Sequence, residues 1–268
     1  MKFLISLFLI INIYAKVIDK IEILVNNTPI TTYDIQKTET TLGINKQKAI
    51  SYLIDKAILT SEIKKRGIYV DEFDIDNAME KIAQKNGMSL YNFKNYLLQK
   101  GELLNLKEQI KENLEKEKLL KTLNIQVTKQ EVESYYNQHK NDFMLPSKIE
   151  ATEYSATDKQ VLEETIKNPL LNNNQTVSIK DITFDINKTN PKLMELLSKI
   201  DENSFSPILN TGNSYVAFYV IKKYPKAPLP INMVAQNIYQ TLLIQKQNVA
   251  LKDFISKLRA KADIKFLK

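Results

Sequence analysis

The stretch IEILVNNTPITTYDI, residues 21–35, decides how this chain must fold. From Ile21 to Val25 apolar residues take alternate positions, the pattern of a strand with one buried face. Asn26 and Asn27 follow, and asparagine accepts the positive φ that a two-residue hairpin turn needs. The stretch therefore predicts a β-hairpin. Because a two-stranded hairpin alone is marginal in water, a third element must pair with it.

The partner that we predict for this hairpin is ADIKFLK, residues 262–268, whose apolar residues are spaced for a short strand. Amphipathic patterns with capping residues predict helices through residues 32–145 and again over 231–261. Glycines stand where four of these helices should end: Gly43, Gly67, Gly87 and Gly101. The N-terminal hairpin and the C-terminal strand are thus expected to close one helical domain.

A different pattern begins after Pro146 and ends at a second group of prolines. It predicts strand, helix, strand, helix and strand, in that order, over 148–156, 158–168, 177–186, 190–200 and 214–224. We therefore predict an α+β protein. A mostly helical, discontinuous domain, residues 16–145 plus 226–268, would hold an inserted small α/β domain, residues 146–225.

The composition of the 268 residues excludes several classes of site. The chain has no cysteine and one histidine, His139, so we expect no disulfide, no thiol chemistry, no metal site and no cofactor. The net charge is +7, but Arg66 and Arg259 are the only arginines, and arginine is the residue that forks onto phosphate and guanine. The lysines alternate with acids, as in residues 107–118. We therefore do not expect nucleic-acid binding.

The first fifteen residues, MKFLISLFLIINIYA, have the pattern of a secretory signal peptide. Lys2 precedes an apolar run that is too short to span a bilayer, and Ala15 supplies a small residue for cleavage. Removal of the leader lowers the formal charge from +7 to +6. A cysteine-free exported protein fits the bacterial periplasm. We expect cleavage near Ala15 and no stable membrane insertion afterwards.

Several stretches resemble the SurA family of periplasmic chaperones for outer-membrane proteins. KVIDKIEILVNNTPITTYDI, residues 16–35, is similar to the family's opening after its signal peptide. Residues 53–101, with LIDKAIL and MSLYNF, and residues 127–143, VTKQEVESYYNQHKNDF, resemble two later helical stretches. The resemblance is specific over 17–143 and weak over 147–225. It implies a chaperone domain and a single parvulin-type (PpiC-like) peptidyl-prolyl isomerase domain.

The resemblance also implies where an isomerase site would lie. Active parvulins carry histidines side by side on the first and last strands, and these positions map to Glu153 and Tyr219, neither of which is histidine. The pocket phenylalanine of the family corresponds to Leu193. In residues 191–208, Asn203 stands where glycine is usual, and asparagine tolerates the same left-handed conformation. We therefore expect weak or absent isomerase activity.

Two further sets of side chains are candidates for binding polypeptides. The first would line a peptide groove in the inserted domain, with ordinary core packing as its alternative: Phe184, Leu193, Phe205 and Phe218. The second consists of tyrosines on the N-terminal helices, which are adaptable contacts for unfolded chains, although we expect most of them to be half-buried packing: Tyr91, Tyr96, Tyr135 and Tyr136.

Three functions remain open on the sequence. The first is a periplasmic chaperone that binds unfolded outer-membrane or secreted proteins, with the parvulin-like domain as a binding module. The second is a peptidyl-prolyl cis-trans isomerase (rotamase) with a divergent site in which Glu153 and Tyr219 replace the histidines. The third is an adhesin or surface antigen. The oligomeric state stays open between a monomer and a dimer that exchanges terminal strands.

Overall fold

The computed structural model describes residues 20–169 and 176–267. The expected signal peptide, residues 1–15, lies outside the described residues. The described chain forms two compact units. The second unit is Gln126–Lys246, and the first comprises the residues on either side of it. In the described ranges no helix has the length and apolar character that crossing a membrane requires.

The helices are, in chain order, α1 (Thr32–Leu42), α2 (Lys46–Lys65), α3 (Glu72–Lys85), α4 (Leu90–Lys100), α5 (Leu103–Thr122), α6 (Lys129–Gln138), α7 (Lys159–Lys167), α8 (Pro191–Ser198) and α9 (Ile231–Arg259). The strands are β1 (Ile21–Val25), β2 (Thr28–Thr31), β3 (Met144–Pro146), β4 (Lys148–Ala156), β5 (Ser178–Asp185), β6 (Ser204–Phe205), β7 (Leu209–Asn210), β8 (Tyr215–Lys223), β9 (Lys226–Pro228) and β10 (Ile264–Phe266).

The first unit contains a three-stranded sheet in which β1 lies between β10 and β2. Both pairings are antiparallel, and Val25 lies opposite Ile264 on one side and Thr28 on the other. Asn26 and Asn27 form the hairpin turn with φ of 46° and 68°. The predicted pairing of the N-terminal hairpin with the C-terminal strand is therefore confirmed.

Helices α1 and α2 cover this sheet. Thr31 caps α1 by accepting a hydrogen bond from the Asp34 N–H, and the Asp34 carboxylate accepts one from the Thr31 N–H. Gly43 ends α1 at φ 62°, a left-handed conformation that glycine adopts without steric cost. The buried side chains between sheet and helices are Ile23, Val25, Ile30, Ile35, Ala49, Ile54, Ala57 and Ile58.

Helices α3, α4 and α5 form a lobe of the first unit with a core of its own. The buried side chains of this lobe are Val70, Ile75, Met79, Ala83, Phe93, Leu97 and Ile110. A further cluster joins α2 and α5 to the later half of α9 through Ile63, Leu119 and Leu251. The α3–α5 lobe therefore has an apolar interior of its own.

The second unit is built on an antiparallel sheet with the strand order β5-β4-β8-β6, and β7 also pairs with β8. The predicted order of strand, helix, strand, helix and strand is present in β4, α7, β5, α8 and β8. The predicted inserted domain, residues 146–225, lies within this unit, and its boundaries remain a prediction. The unit also includes α6, whose Val132 is buried in the core.

Both faces of this sheet are covered. On the face that we call the α8 face, Phe184 and Phe218 are buried with Met194 and Leu197 of α8. On the opposite face, which we call the α7 face, Ala156 and Ala217 are buried with Leu162 of α7, and Tyr154, Phe205 and Tyr215 pack beside them. The mixed α+β fold predicted from the sequence is thus present.

Candidate functional site

The two positions that map to the parvulin histidines do not meet. On β4 and β8, Thr152 lies opposite Tyr219 and Glu153 lies opposite Phe218. Directly paired residues share a face of a sheet, and successive residues of a strand alternate between faces. Glu153 therefore points to the α8 face and Tyr219 to the α7 face. A site that uses both side chains on one proline is excluded by this geometry.

His139 is engaged away from both strands, at the end of α6. Its Nδ1 lies 2.8 Å from the carbonyl oxygen of Tyr135, and its ring stacks on the Tyr135 ring with centroids 4.1 Å apart. The ring therefore supports the end of its own helix, as an ordinary helix-terminal residue does.

Three of the four residues predicted to line a peptide groove belong to the core of the α8 face. Phe184 and Phe218 are each 6% exposed, and their rings meet edge to face with centroids 5.2 Å apart. Leu193 packs, half-buried, against the same cluster. Phe184 and Phe218 are therefore core side chains of the α8 face, with Leu193 packed against them.

The fourth residue, Phe205, lies on the α7 face. Its ring sits between Tyr154 and Tyr219, with centroids 5.1 Å and 4.9 Å away. All three side chains are half-buried. Next to them the buried Ser206 hydroxyl accepts the N–H of Phe218 at 2.9 Å and so ties β6 to β8. The sequence interpretation missed Tyr154, because only the pairing of the strands brings it beside Phe205.

The apolar side chains that remain in solvent are concentrated on the α3–α5 lobe. Seven of the seventeen large apolar residues that are exposed in the described part of the chain come from positions 69–104. They are Tyr69, Phe73, Met88, Tyr91, Tyr96, Leu98 and Leu104, and we call them together the α3–α5 surface. Phe73 and Tyr91 are 72% and 74% exposed.

Helical spacing explains why these residues face water. On α4, Phe93 and Leu97 point into the lobe, whereas Tyr91 and Leu98, seven residues apart, share the outer side. Of the tyrosines predicted as client contacts, Tyr91 and Tyr96 are therefore exposed. The sequence analysis did not select Phe73, Leu98 or Leu104, although Phe73 falls outside the inward stripe of its helix.

The other two predicted tyrosines are not on this surface. Tyr135 and Tyr136 pack against the core of the second unit. The Tyr136 hydroxyl donates a hydrogen bond to the carbonyl oxygen of Leu229 at 2.7 Å. These two side chains stabilise the second unit.

Charged pairs occur on the same helices as the exposed apolar residues of the lobe. Lys94 pairs with Asp76 at 2.6 Å and Lys118 with Asp74 at 2.6 Å. The hydrogen bond from Lys118 lowers the pKa of Asp74 below its ordinary value. The lobe therefore carries exposed apolar side chains together with charged pairs, a combination that is found at interaction surfaces of soluble proteins.

Known proteins are similar to this chain in sequence and in fold. Residues 129–223 match the family model described as Cj1289-like, C-terminal domain. The resemblance to the SurA-like chaperones is thereby confirmed.

Several known proteins are similar to most of this chain. PEB4 and Cj1289 of Campylobacter jejuni are two related SurA-like chaperones, and a solved structure from this pair is 26% identical to the chain. It covers 92% of this chain and 99% of that chain at a TM-score of 0.60. The foldase protein PrsA of Caldanaerobacter subterraneus subsp. tengcongensis is 23% identical over 90% of this chain and 78% of its own length. PrsA of Bacillus subtilis is 19% identical over 88% of this chain and 90% of its own, at a TM-score of 0.37.

Proposed function

We propose that the protein is a periplasmic chaperone that holds unfolded outer-membrane or secreted proteins, and that its parvulin-like domain catalyses prolyl isomerisation weakly or not at all. The observation that supports this proposal most is the α3–α5 surface. A folded lobe with a complete core presents aromatic and aliphatic side chains to solvent, and contiguous or clustered exposure of this kind is a property of binding surfaces.

The chemistry of the surface suits unfolded outer-membrane strands, in which apolar residues recur at alternate positions. Each aromatic side chain can bury about 150–250 Å². Phe73 and Tyr91 hold nearly three quarters of their area in solvent. At about 25 cal/mol per Å², a client that covers half of that exposed area on both residues gains roughly 3–4 kcal/mol. Such contacts are strong enough to delay aggregation and weak enough to release a client without ATP.

The geometry of the sheet disfavours isomerase activity. Glu153 and Tyr219 occupy opposite faces, and Phe184 and Phe218 fill the core where an apolar slot was predicted. An isomerase needs an open apolar slot for the proline ring and surroundings that favour the twisted amide. We therefore assign the second unit a binding role.

The first experiment measures the suppression of aggregation. An outer-membrane protein unfolded in urea is diluted into buffer with the chain lacking residues 1–15, and light scattering follows aggregation. The variant carrying Phe73→Ser and Tyr91→Ser should need at least about a hundredfold more protein for the same suppression, because it loses most of these roughly 3–4 kcal/mol of contact. The control carries Tyr33→Ser and Tyr52→Ser, which remove two exposed aromatics of the same unit outside the α3–α5 surface. Equal suppression by the two variants, or none by the unchanged protein, would overturn the proposal.

The second experiment measures cis-trans exchange of a short Xaa-Pro peptide by NMR. Uncatalysed exchange takes tens to hundreds of seconds, so weak catalysis is detectable. We expect no acceleration, and installing Glu153→His with Tyr219→His should not create any, because the two side chains face opposite sides. Acceleration that is lost on deletion of residues 147–225 would make the protein an isomerase. Labelling of intact cells with an impermeant reagent separates a periplasmic protein from a surface antigen.

A further inference from the structure

We propose that β5, at the edge of the second unit's sheet, binds an extended polypeptide segment as an additional antiparallel strand. In the sheet order β5 is the terminal strand, and among the described residues it pairs with β4 alone. The site is separate from the α3–α5 surface, which belongs to the other unit. It therefore adds a second kind of client contact, made by the main chain, to the side-chain contacts proposed above.

The register shows which main-chain groups of β5 face outward. The N–H of Ile186, just after β5, donates to the carbonyl oxygen of Ser147, just before β4, at 3.1 Å. In this register the even-numbered residues of β5 direct their main-chain N–H and carbonyl groups towards β4. In an antiparallel pair the residues alternate between bonding the partner and facing away from it. Ile179, Asp181 and Thr183 therefore direct their N–H and carbonyl groups away from β4, into the place of a further strand.

These outward groups are accessible. Every residue from Ser178 to Asp181 is exposed, and so is Thr183. The Ile179 side chain is 55% exposed and lies opposite Tyr154 on the α7 face. An incoming strand would therefore place an apolar side chain beside Ile179 while its main chain bonds β5. A segment with apolar side chains at alternate positions, as in outer-membrane strands, would present its apolar side to Ile179 in this way.

The charges at the centre of β5 favour a client segment over a second copy of the chain as the strand that binds this edge. In a two-fold antiparallel pairing of β5 with itself, the register centred on Asp181 sets this carboxylate opposite its own copy and Lys180 opposite Ile182, and the register centred on Ile182 sets Lys180 opposite Phe184, so neither gives Lys180 an acidic partner. Like charges directly opposite each other destabilise a strand pair, whereas opposite charges stabilise it. Lys180 and Asp181 are both exposed. The edge therefore fits a foreign segment with an acidic residue opposite Lys180.

The test uses the intact mature chain and a fluorescein-labelled peptide, TVTVEVTVT, which alternates apolar and polar residues around one glutamate. Amide hydrogen exchange is measured by NMR with and without saturating peptide. The amides of Ile179, Asp181 and Thr183 should exchange at least about tenfold more slowly with peptide, because each gains an acceptor or is covered. The amides of Lys180 and Ile182 should not change, since they already bond β4. Uniform or absent protection along β5 would overturn the proposal.

A variant tests whether the same hydrogen bonds contribute to the affinity for the peptide. Thr183→Pro removes an outward N–H without removing a bond to β4, because proline is tolerated at such edge positions. We expect peptide binding about threefold to tenfold weaker than for the control Thr183→Ala, which removes the side chain alone. The charge-reversed peptide TVTVKVTVT should also bind more weakly. Equal affinity in either comparison contradicts the proposal.

The outcomes separate this proposal from the proposed function. Peptide binding that is lost with Phe73→Ser and Tyr91→Ser but kept with Thr183→Pro would place the strand on the α3–α5 surface and overturn only the β5 site. Peptide binding at β5 by a protein that does not suppress aggregation would overturn only the chaperone function. A dimer formed without peptide and abolished by Thr183→Pro would show that a second copy occupies the edge, which also refutes the proposal.

Discussion

Replacing Ile264 by alanine tests whether the C-terminal strand completes the first unit. Ile264 lies opposite Val25 in the pairing of β10 with β1 and packs, half-buried, against the cluster under the sheet. Val25 itself is 0% exposed. If β10 is part of the cooperative structure, Ile264→Ala must lower the free energy of unfolding.

The magnitude follows from the buried area. The substitution removes three methyl or methylene groups, each worth about 0.8 kcal/mol when fully buried. Since Ile264 keeps part of its surface in solvent, we expect a loss of roughly 1–1.5 kcal/mol. Val25→Ala removes two fully buried groups and should cost about 2 kcal/mol with its cavity. Because the two side chains are in contact, the double variant should deviate from the sum by at least about 0.5 kcal/mol.

Urea unfolding followed by circular dichroism measures all three variants. The matched control is Lys265→Ala, one residue along the same strand. The Lys265 side chain is 61% exposed, and its pair with Asp263 at 2.7 Å is a surface ion pair, which contributes little. The control should therefore stay within about 0.5 kcal/mol of the unchanged protein. The reasoning fails if Ile264→Ala lowers the free energy of unfolding no more than the control does and the loss in the double variant equals the sum of the single losses. Such a result would mean that β10 does not pair with β1 in solution.

Three further predictions concern the second unit. The hydrogen bond from Lys246 holds the pKa of Glu131 below its usual 4.5. The ionised Glu131 therefore stabilises the folded state above that value, and this contribution is lost as pH falls through the lower folded pKa. Relative to Glu131→Gln, the unchanged protein should lose urea resistance between about pH 5 and pH 3; parallel profiles would contradict this. Ser206→Ala leaves the Phe218 N–H without its acceptor and should cost about 1–3 kcal/mol in urea unfolding, and a loss below about 0.5 kcal/mol would argue against it. Asn203 has φ 61°, so Asn203→Ala should cost about 1 kcal/mol in thermal unfolding while Asn203→Gly stays close to neutral; equal melting temperatures for both variants would exclude a left-handed residue.

Local patterns predicted most of the elements. The strand expected over 148–156 is observed as Lys148–Ala156, and that expected over 177–186 as Ser178–Asp185. Alternation and capping depend on neighbours in the sequence, and these neighbours remain neighbours in the fold. The left-handed conformation expected at Asn203 is present for the same reason.

The candidate site could not be predicted in the same way. Glu153 and Tyr219 were placed together from a family motif, but a shift of one residue in the pairing of two strands moves a side chain to the other face. Likewise, Phe205 and Phe218 were both predicted to line one peptide groove, yet they lie on opposite faces of one sheet. The pairing between strands that are distant in sequence decides on which face of the sheet a side chain lies, and no local sequence pattern encodes that pairing.

The sequence by itself determined most of the helices and strands of this protein, the hairpin that requires a third strand, and the lack of cysteine, because composition and local periodicity are properties of the chain alone. The tertiary structure decided which apolar residues are core and which are surface. Tyr91 and Tyr135 both lie on amphipathic helices, but one is 74% exposed and the other packs against the core of the second unit. Burial depends on which helix or strand covers a residue, and this is set by contacts between segments far apart in the chain.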